Sequence, residues 1–344
     1  MQFIKPGINI DFIGKKYVAF TLSGALLLVT LISLVLHGGP KYGIDFAGGT
    51  VIQIKFDAAT KISDIKSGLQ QLNIAASSVQ QFGEHKNFEF LIRADIDAAV
   101  TDEVSHQIQE TLQNTTGNKA EIRRVEMVGP QVGKDLREKA LLAMFFSLLF
   151  ITIYISGRFE LKWLKSGVMA GGLMLSVYIF NLFSVSIPFL MTAALIITLI
   201  LFWVLELKYA MGAIVALIHD VTITVGIFSI LDKEFTLPII AALLTIIGYS
   251  LNDTIIVFDR IRENLRKYHK QRLDFILNRS VNETLARTLL TSGTTLIVLI
   301  ALFVLGGGII HDFAFAMIVG VVVGTYSSIY VASPILLAWH KGLK

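Results

Sequence analysis

Long apolar stretches recur along this chain, and they constrain its fold more than any other feature. A helix that crosses a bilayer needs about 20 mostly apolar residues. Only 16% of the 344 residues are charged, whereas about 25% is usual in soluble domains. The sequence therefore predicts a polytopic α-helical membrane protein. Eight candidate spans occur, at residues 17–36, 139–156, 167–184, 187–205, 211–231, 237–258, 289–305 and 313–339.

The distribution of basic residues predicts the orientation of these spans. Residues 259–287 hold eight Lys/Arg and four acids, and Arg158, Lys162 and Lys165 form a second basic turn. With eight spans, these segments and both termini fall on one side, which the positive-inside rule makes cytoplasmic. The first span is an uncleaved anchor, because His37-Gly38-Gly39-Pro40 does not fit a signal-peptidase site. We expect a multi-pass protein of the bacterial inner (cytoplasmic) membrane.

Residues 37–138 have a different character, with eleven Lys/Arg and fourteen Asp/Glu. Alternating or helical spacing of apolar residues predicts the order β-α-β-β-α-β, which is the ferredoxin-like split motif. Because one predicted span separates this α+β domain from the cytoplasmic N-terminus, we expect the domain in the periplasm. The predicted organisation is residues 1–36 (cytoplasmic segment and first span), 37–138 (periplasmic domain) and 139–344 (transmembrane bundle with a basic cytoplasmic loop at 259–287). The predicted strands are 50–56, 77–82, 88–93 and 121–128, and the predicted helices are 62–72 and 98–112.

Several chemistries find no support in the sequence. There is no cysteine, so disulfides and thiolate ligands are excluded. No Walker loop or dinucleotide fingerprint is present, and the basic loop carries no nucleic-acid-binding motif. We therefore expect neither a cofactor nor a nucleic-acid partner, and no catalytic site of an enzyme.

Charged residues inside spans are costly and by default functional, and Asp253 is the first of two. It lies six residues before Asp259, hence about 9 Å deeper in the membrane at 1.5 Å per residue. Burial disfavours the charged carboxylate, and a nearby cation favours it. A carboxylate balanced between these effects can bind and release a proton near neutral pH.

Arg287 is the candidate cation, because it enters the next span from the same side. Its guanidinium stays charged and can form a bidentate pair. Thr291, Ser292 and Thr295 add hydroxyls on neighbouring turns that could hold a proton path. The alternatives are a static salt bridge, or an arginine that only snorkels to the interface.

Asp220 is the second intramembrane acid, and it follows His219 near the middle of its span. A proton role and a structural carboxylate bonded to Thr222 and Thr224 are both open. A metal hydrolase is the weakest interpretation, since one His-Asp pair supplies too few ligands.

Five motifs in order resemble the SecD/SecF family of protein-export membrane proteins. Tyr42-Gly43-Ile44-Asp45-Phe46-Ala47-Gly48-Gly49-Thr50 is similar to the periplasmic signature of that family. The other four are Val125 to Gly133, His219-Asp220-Val221, Gly248-Tyr249-Ser250-Leu251-Asn252-Asp253-Thr254 running into Phe258 to Asn264, and Arg287-Thr288 with Thr291 to Thr295.

The resemblance implies an RND-superfamily membrane fold and a role in protein export. It implies a heterodimer with SecD, association with the SecYEG channel and YajC, and contact with the translocating polypeptide as well as membrane lipid. Asp253, beside Asn252, and Arg287 would be the proton-path residues. Proton flow would drive motion of the periplasmic domain, with H⁺ as the coupling ion and Na⁺ as the alternative.

The chain departs from the family pattern after Arg158-Phe159-Glu160. About 45 extra residues precede Lys208, and their hydropathy predicts an added hairpin of two helices near residues 167–206. Two further spans leave the orientation of everything downstream unchanged.

Three other functions compare differently with the sequence. An RND-like small-molecule exporter would carry two large periplasmic loops rather than one. A membrane enzyme using His219 and Asp220 lacks a nucleophile and further ligands. A passive scaffold of the export channel is compatible with the sequence.

Overall fold

The structure is a computed structural model. It describes residues 8–342 except residues 73, 75, 83–87, 95–101, 161–162, 165–166, 169–170, 173, 176–177 and 179–186. In chain order its elements are α1 (Lys16–Leu36), α2 (Ile44–Ala47), β1 (Gly49–Phe56), α3 (Ile62–Gln71), β2 (Ala76–Phe82), β3 (Glu89–Ala94), α4 (Asp102–Thr116), β4 (Ala120–Val128), α5 (Pro130–Glu160), α6 (Ile187–Leu205), α7 (Lys208–Ile230), α8 (Leu237–Lys267), α9 (Leu273–Leu305), α10 (Gly308–Ser327) and α11 (Ser333–Gly342).

Six helical stretches of the described chain are long and apolar enough to cross a membrane. They are α1, α5, α7, α8, α9 and the stretch Ile310–Trp339, in which a π-helical turn at Ser328–Ala332 joins α10 to α11. These stretches confirm six of the eight predicted spans. The predicted span at 187–205 is helix α6. The predicted span at 167–184 lies largely outside the described residues.

The segment predicted as a basic loop, residues 259–287, is mostly helical. Helix α8 continues to Lys267 and α9 begins at Leu273, so only five residues separate them. Ile261 and Leu277 are buried between the two extensions, and the Asn264 amide donates to the Ser280 hydroxyl at 3.0 Å. The prediction was wrong because it weighed the charges and overlooked the apolar residues at helical spacing among them.

The inserted α+β domain confirms the predicted β-α-β-β-α-β order. Its antiparallel sheet has the strand order β2-β3-β1-β4. The two central strands, β1 and β3, bury alternate side chains, as strands with one covered face do. Ile52 and Ile54 of β1 share one core with Leu69 of α3 and Leu112 of α4.

Small residues set the spacing of the helices at the centre of the bundle. A Cβ added at Gly324 of α10 would lie 2.9 Å from the Ser250 Cβ of α8, and one added at Gly320 would collide with Ile246. A Cβ at Gly212 of α7 would lie 3.1 Å from the Ala332 carbonyl oxygen. Small residues let membrane helices approach closely. Helices α7, α8 and α10 therefore form a tight central group, and both intramembrane acids lie on it.

Candidate functional site

Asp220 is fully buried in the middle of α7, and side chains from three helices lie within hydrogen-bond distance of its carboxylate. The Ser250 hydroxyl of α8 and the Ser327 hydroxyl of α10 donate to its Oδ2 atom at 2.5 and 2.7 Å. His219 Nδ1 lies 2.9 Å from its Oδ1 atom. Close packing at Gly324 brings Ser327 within reach. The sequence placed Asp220 in the membrane, and the structure places it at the centre of a polar network.

The network continues from His219 towards the first helix. His219 Nε2 lies 3.0 Å from the Ser23 hydroxyl of α1, and that hydroxyl lies 3.1 Å from the Tyr326 hydroxyl of α10. Tyr326 donates to the Ala19 carbonyl at 2.8 Å, and its ring stacks on the imidazole of His219. Four helices thus meet around one histidine–aspartate pair. Ser250 and Ser327 thus take the place that Thr222 and Thr224 were predicted to have beside the Asp220 carboxylate. The Thr224 hydroxyl donates instead to the Asp220 carbonyl.

Asp253 is buried one helical turn from Ser250, with 2% of its surface exposed. The Ser292 hydroxyl of α9 donates to its Oδ2 atom at 3.2 Å. The Thr325 hydroxyl of α10 in turn donates to the Ser292 oxygen at 2.7 Å. The structure thus brings together two of the predicted site residues, Asp253 and Ser292. It adds Thr325, which the sequence analysis did not identify.

Three other predicted site residues make no hydrogen bond or ion pair with Asp253 among the described contacts. They are Arg287, Asn252 and Thr291. Arg287 and Asn252 are exposed on the outer face of the α8–α9 pair. No ion pair within 4.0 Å joins Arg287 to an acid among the residues that the structure describes. Thr291 bonds back to the carbonyls of Arg287 and Thr288 in its own helix. A direct Asp253–Arg287 salt bridge is therefore absent from the arrangement seen among the described residues.

A buried hydroxyl on the same helix as Ser292 has no hydrogen-bond partner in the described chain. Thr288 of α9 is 1% exposed, and its Oγ1 atom is unsatisfied. It precedes Ser292 by one turn, and residues four apart share one face of a helix. An orphaned hydroxyl in a dry interior costs free energy. Such a group is typical of a site that binds a further polar ligand or changes its partners.

The signature segment, residues 42–49, joins the α+β domain to the bundle. The Asp45 carboxylate accepts a hydrogen bond from the Leu237 N–H at 2.8 Å, at the first turn of α8. The Gly43 N–H donates to the Phe235 carbonyl at 2.8 Å. Gly48 and Gly49 have φ angles of 77° and 112°, which glycine adopts without strain. A Cβ at Gly48 would lie 2.9 Å from Pro130 Cα at the start of α5.

A salt bridge strengthens the same junction. Arg93 of β3 donates to the Tyr42 carbonyl at 2.8 Å and approaches Glu234 at 3.4 Å. Glu234 lies in the short connection between α7 and α8. Sequence reasoning identified the glycines and Asp45 by motif only, whereas the contacts of Arg93 and Glu234 carry no local sequence signal.

Metal chemistry finds no support in the part of the chain that the structure describes, where no three His, Cys, Asp or Glu residues cluster. His219 and Asp220 are surrounded by serine and tyrosine hydroxyls rather than further ligands. The arrangement is suited to exchanging protons between oxygen and nitrogen atoms over short distances.

Comparison with known proteins identifies the family. The family model "Protein export membrane protein SecD/SecF, C-terminal" matches residues 107–187 and 176–342, and the SecD/SecF GG motif matches residues 34–60. The chain is 42% identical over 346 residues to the protein translocase subunit SecF of Magnetococcus marinus, covering 99% of this chain and 96% of that protein. It is 39% identical over 336 residues to SecF of Vibrio alginolyticus, covering 98% and 91%.

Solved structures agree with this result. The translocon-associated membrane protein SecDF from Thermus thermophilus matches with a TM-score of 0.70 and 31% identity over 97% of this chain. A SecDF structure in a super-membrane-facing form matches with a TM-score of 0.62 and 31% identity over the whole chain. The chain spans only 39% and 40% of those two solved chains. From its family motifs, its relatives and its architecture, this chain belongs to the SecD/SecF family of protein-export membrane proteins.

Proposed function

We propose that this chain uses the proton gradient across the bacterial inner membrane to promote protein export, working with a SecD partner. Its place as an accessory subunit of the Sec translocase follows from its family. The observation that carries the proton role is Asp253, an acid with 2% exposure in a transmembrane helix and a hydroxyl donor at 3.2 Å. Acids in such positions mark proton relays.

The chemistry rests on the two charge states of Asp253. As a carboxylate it accepts the hydrogen bond of Ser292, and as a neutral acid it can donate one itself. In a dry interior the two states differ strongly in solvation free energy. Loading a proton on one side and releasing it on the other can therefore favour two arrangements of α8 and α9 in turn. Asn252, Thr291, Ser292 and Asp220 are the further members that we assign to this proton path.

The outer face of the α8–α9 pair supports a membrane partner. Arg287 and Asn252 are exposed there, although charged and amide groups in a bilayer are covered by protein or water. The α8 stripe on this face consists of small residues, Ala241, Thr245 and Gly248, which let helices approach closely. We assign this face to SecD, whose own helices would complete the surroundings of Arg287. Association with SecYEG, YajC and the translocating polypeptide is proposed from the family resemblance.

The distribution of charge supports the orientation. The helical extensions of α8 and α9 carry most of the basic residues of this region, so we place them in the cytoplasm. The α+β domain lies at the opposite ends of the same helices and would be periplasmic. Its junction with α8 through Asp45 gives a short route from Asp253 to that domain.

The test replaces Asp253 with asparagine in the full chain, reconstituted with SecD and the channel in proteoliposomes. Asp253→Asn keeps the size and the hydrogen-bond acceptor but cannot exchange a proton. We expect the complex to assemble and export to lose its stimulation by an imposed proton gradient. Glu263→Gln is the matched control, because it neutralises an exposed acid on the same helix outside the bilayer.

The outcomes separate the competing functions. Unchanged stimulation in Asp253→Asn contradicts the proton role and leaves a passive scaffold. Stimulation of the wild-type complex by a sodium gradient instead of a proton gradient contradicts H⁺ as the coupling ion. Normal export combined with a loss of drug resistance in cells carrying Asp253→Asn would indicate a small-molecule exporter.

A further inference from the structure

We propose that His219 changes its tautomer when Asp220 gains or loses a proton, and so transmits the charge of this acid to helix α1. The proposal deepens the proton path described above, because it rests on Asp220 exchanging a proton. It assigns His219 and Ser23 as positioning residues. The observations that carry it are the hydrogen bonds on both ring nitrogens of one buried histidine.

His219 is buried and contacted on both ring nitrogens and on one ring face. Its side chain is 3% exposed, with Nδ1 at 2.9 Å from Asp220 Oδ1 and Nε2 at 3.0 Å from the Ser23 hydroxyl. The Tyr326 ring stacks against it with centroids 6.0 Å apart. A neutral imidazole carries one proton, so one nitrogen donates and the other accepts. One partner of the ring must therefore accept a hydrogen bond while the other partner donates one.

With Asp220 ionised, one complete arrangement exists. His219 Nδ1–H donates to the carboxylate, and Nε2 accepts the hydroxyl proton of Ser23. Ser250 and Ser327 supply the other two donors to Asp220. A buried carboxylate with three donors is stabilised in its charged form. Every N–H and O–H hydrogen of this His219–Asp220 network then has an acceptor.

With Asp220 protonated, the mirror arrangement is also complete. The acid donates from Oδ1 to His219 Nδ1, and Nε2–H donates to the Ser23 oxygen. Ser23 then turns its own proton to Tyr326, which lies 3.1 Å away and donates in turn to the Ala19 carbonyl. One proton is added to the network, no heavy atom moves, and no hydrogen bond is lost. The Ser23 hydroxyl on α1 is thereby reoriented by a proton bound on α7.

The surroundings hold few other charges that could disturb this exchange. Helix α7 supplies His219 and Asp220, α10 supplies the Tyr326 phenol, and α1 supplies only the Ser23 hydroxyl. Helix α8 supplies Ser250, with Asp253 one turn further along. Among the described residues, Asp220 and Asp253 are the two buried acids. A proton on Asp253 would change the field at Asp220, which links the two acids without direct contact.

The test is nitrogen-15 NMR of the full chain in lipid nanodiscs with its histidines labelled. The chain has 7 histidines, and His219→Gln identifies the signals of His219 by their loss. Asp220→Asn mimics the protonated acid, because its amide can donate to Nδ1 while its oxygen still accepts from the serines. We expect the variant to hold the proton on Nε2 at every pH.

In the wild-type chain we expect the proton to lie on Nδ1 at high pH and on Nε2 at low pH. Asp312→Asn is the control, because it changes an acid beside another histidine, His311, at 3.2 Å. It should leave the signals of His219 unchanged. One tautomer in the wild-type chain across the whole pH range overturns the proposal, and so does a doubly protonated ring. The measurement needs no export, so failure of the Asp253→Asn test and failure of this one are distinguishable.

Discussion

The Asp45 carboxylate caps helix α8, the helix that carries Asp253, by accepting the Leu237 N–H at 2.8 Å. The first backbone N–H groups of a helix have no partner within it, and an acidic side chain there is stabilising. The signature segment thus contacts the bundle where the α+β domain can act on the acid-bearing helix. The spacing of Asp45 and two glycines follows from this geometry.

Removing this cap should loosen the junction. We expect Asp45→Ala to destabilise the full chain by about 1 kcal/mol, the usual cost of a lost N-terminal cap. Asp45→Asn should recover most of the loss, because its amide oxygen still accepts. Thermal unfolding in nanodiscs measures both. Asp135→Ala is the control, since this exposed acid is bonded only to the neighbouring Gln131 side chain in the described contacts.

Gly48 should tolerate no side chain, because its backbone conformation and its close contact with α5 both exclude one. Gly48→Ala places a Cβ 2.9 Å from Pro130 Cα, whereas Gly117, with φ of 70°, has open space around it. Gly48 has φ of 77° and ψ of 177°, a backbone region that is essentially restricted to glycine and costs other residues about 1–3 kcal/mol. This backbone strain adds to the close contact with Pro130. We expect Gly48→Ala to lower the unfolding temperature clearly more than Gly117→Ala. Equal effects would contradict the expected cost of the Gly48 backbone conformation and of its close approach to α5 together.

Widening the α8–α10 contact should disrupt the Asp220 network. Gly324→Ala would bring a Cβ to 2.9 Å from Ser250 Cβ, so α10 must move away from α8. Overpacking costs typically 1–3 kcal/mol, and here it also withdraws Ser327 from Asp220. We expect lower stability together with reduced proton-dependent export. Gly24→Ala on α1 is the control, because nothing lies within 4 Å of its added Cβ.

The orphaned hydroxyl of Thr288 allows a prediction of the opposite sign. Thr288→Val removes a buried polar atom without changing the shape of the side chain. We expect unfolding of the isolated chain to become harder by about 1 kcal/mol, the scale of the penalty for an unpaired group. Thr284→Val is the matched control, since the Thr284 hydroxyl bonds to the Ser280 carbonyl at 3.0 Å and its loss should not stabilise. A destabilised Thr288→Val would show that this hydroxyl has a partner after all.

Much of this architecture could be predicted from sequence because it depends on local periodicity. Apolar stretches of bilayer length fixed six confirmed spans, and the alternating apolar pattern of the inserted region predicted the order of its strands and helices. Asp220 and Asp253 could be selected as candidate site residues because an acid within a long apolar stretch is recognisable from the sequence alone. The basic segment at 259–287 shows the limit of that reasoning, since composition suggested a loop where apolar spacing forms helices.

Tertiary structure alone decided which groups meet these acids. Ser327 is separated from Asp220 by 107 positions and Ser23 from His219 by 196, and nothing local marks either serine. Their contacts depend on how far each helix is rotated about its axis and how closely glycines let it approach. The same rotation turns Arg287 outward, away from a direct pair with Asp253. Sequence determined that acids are buried in this membrane protein, and packing determined which hydroxyls and which imidazole lie within hydrogen-bond distance of them.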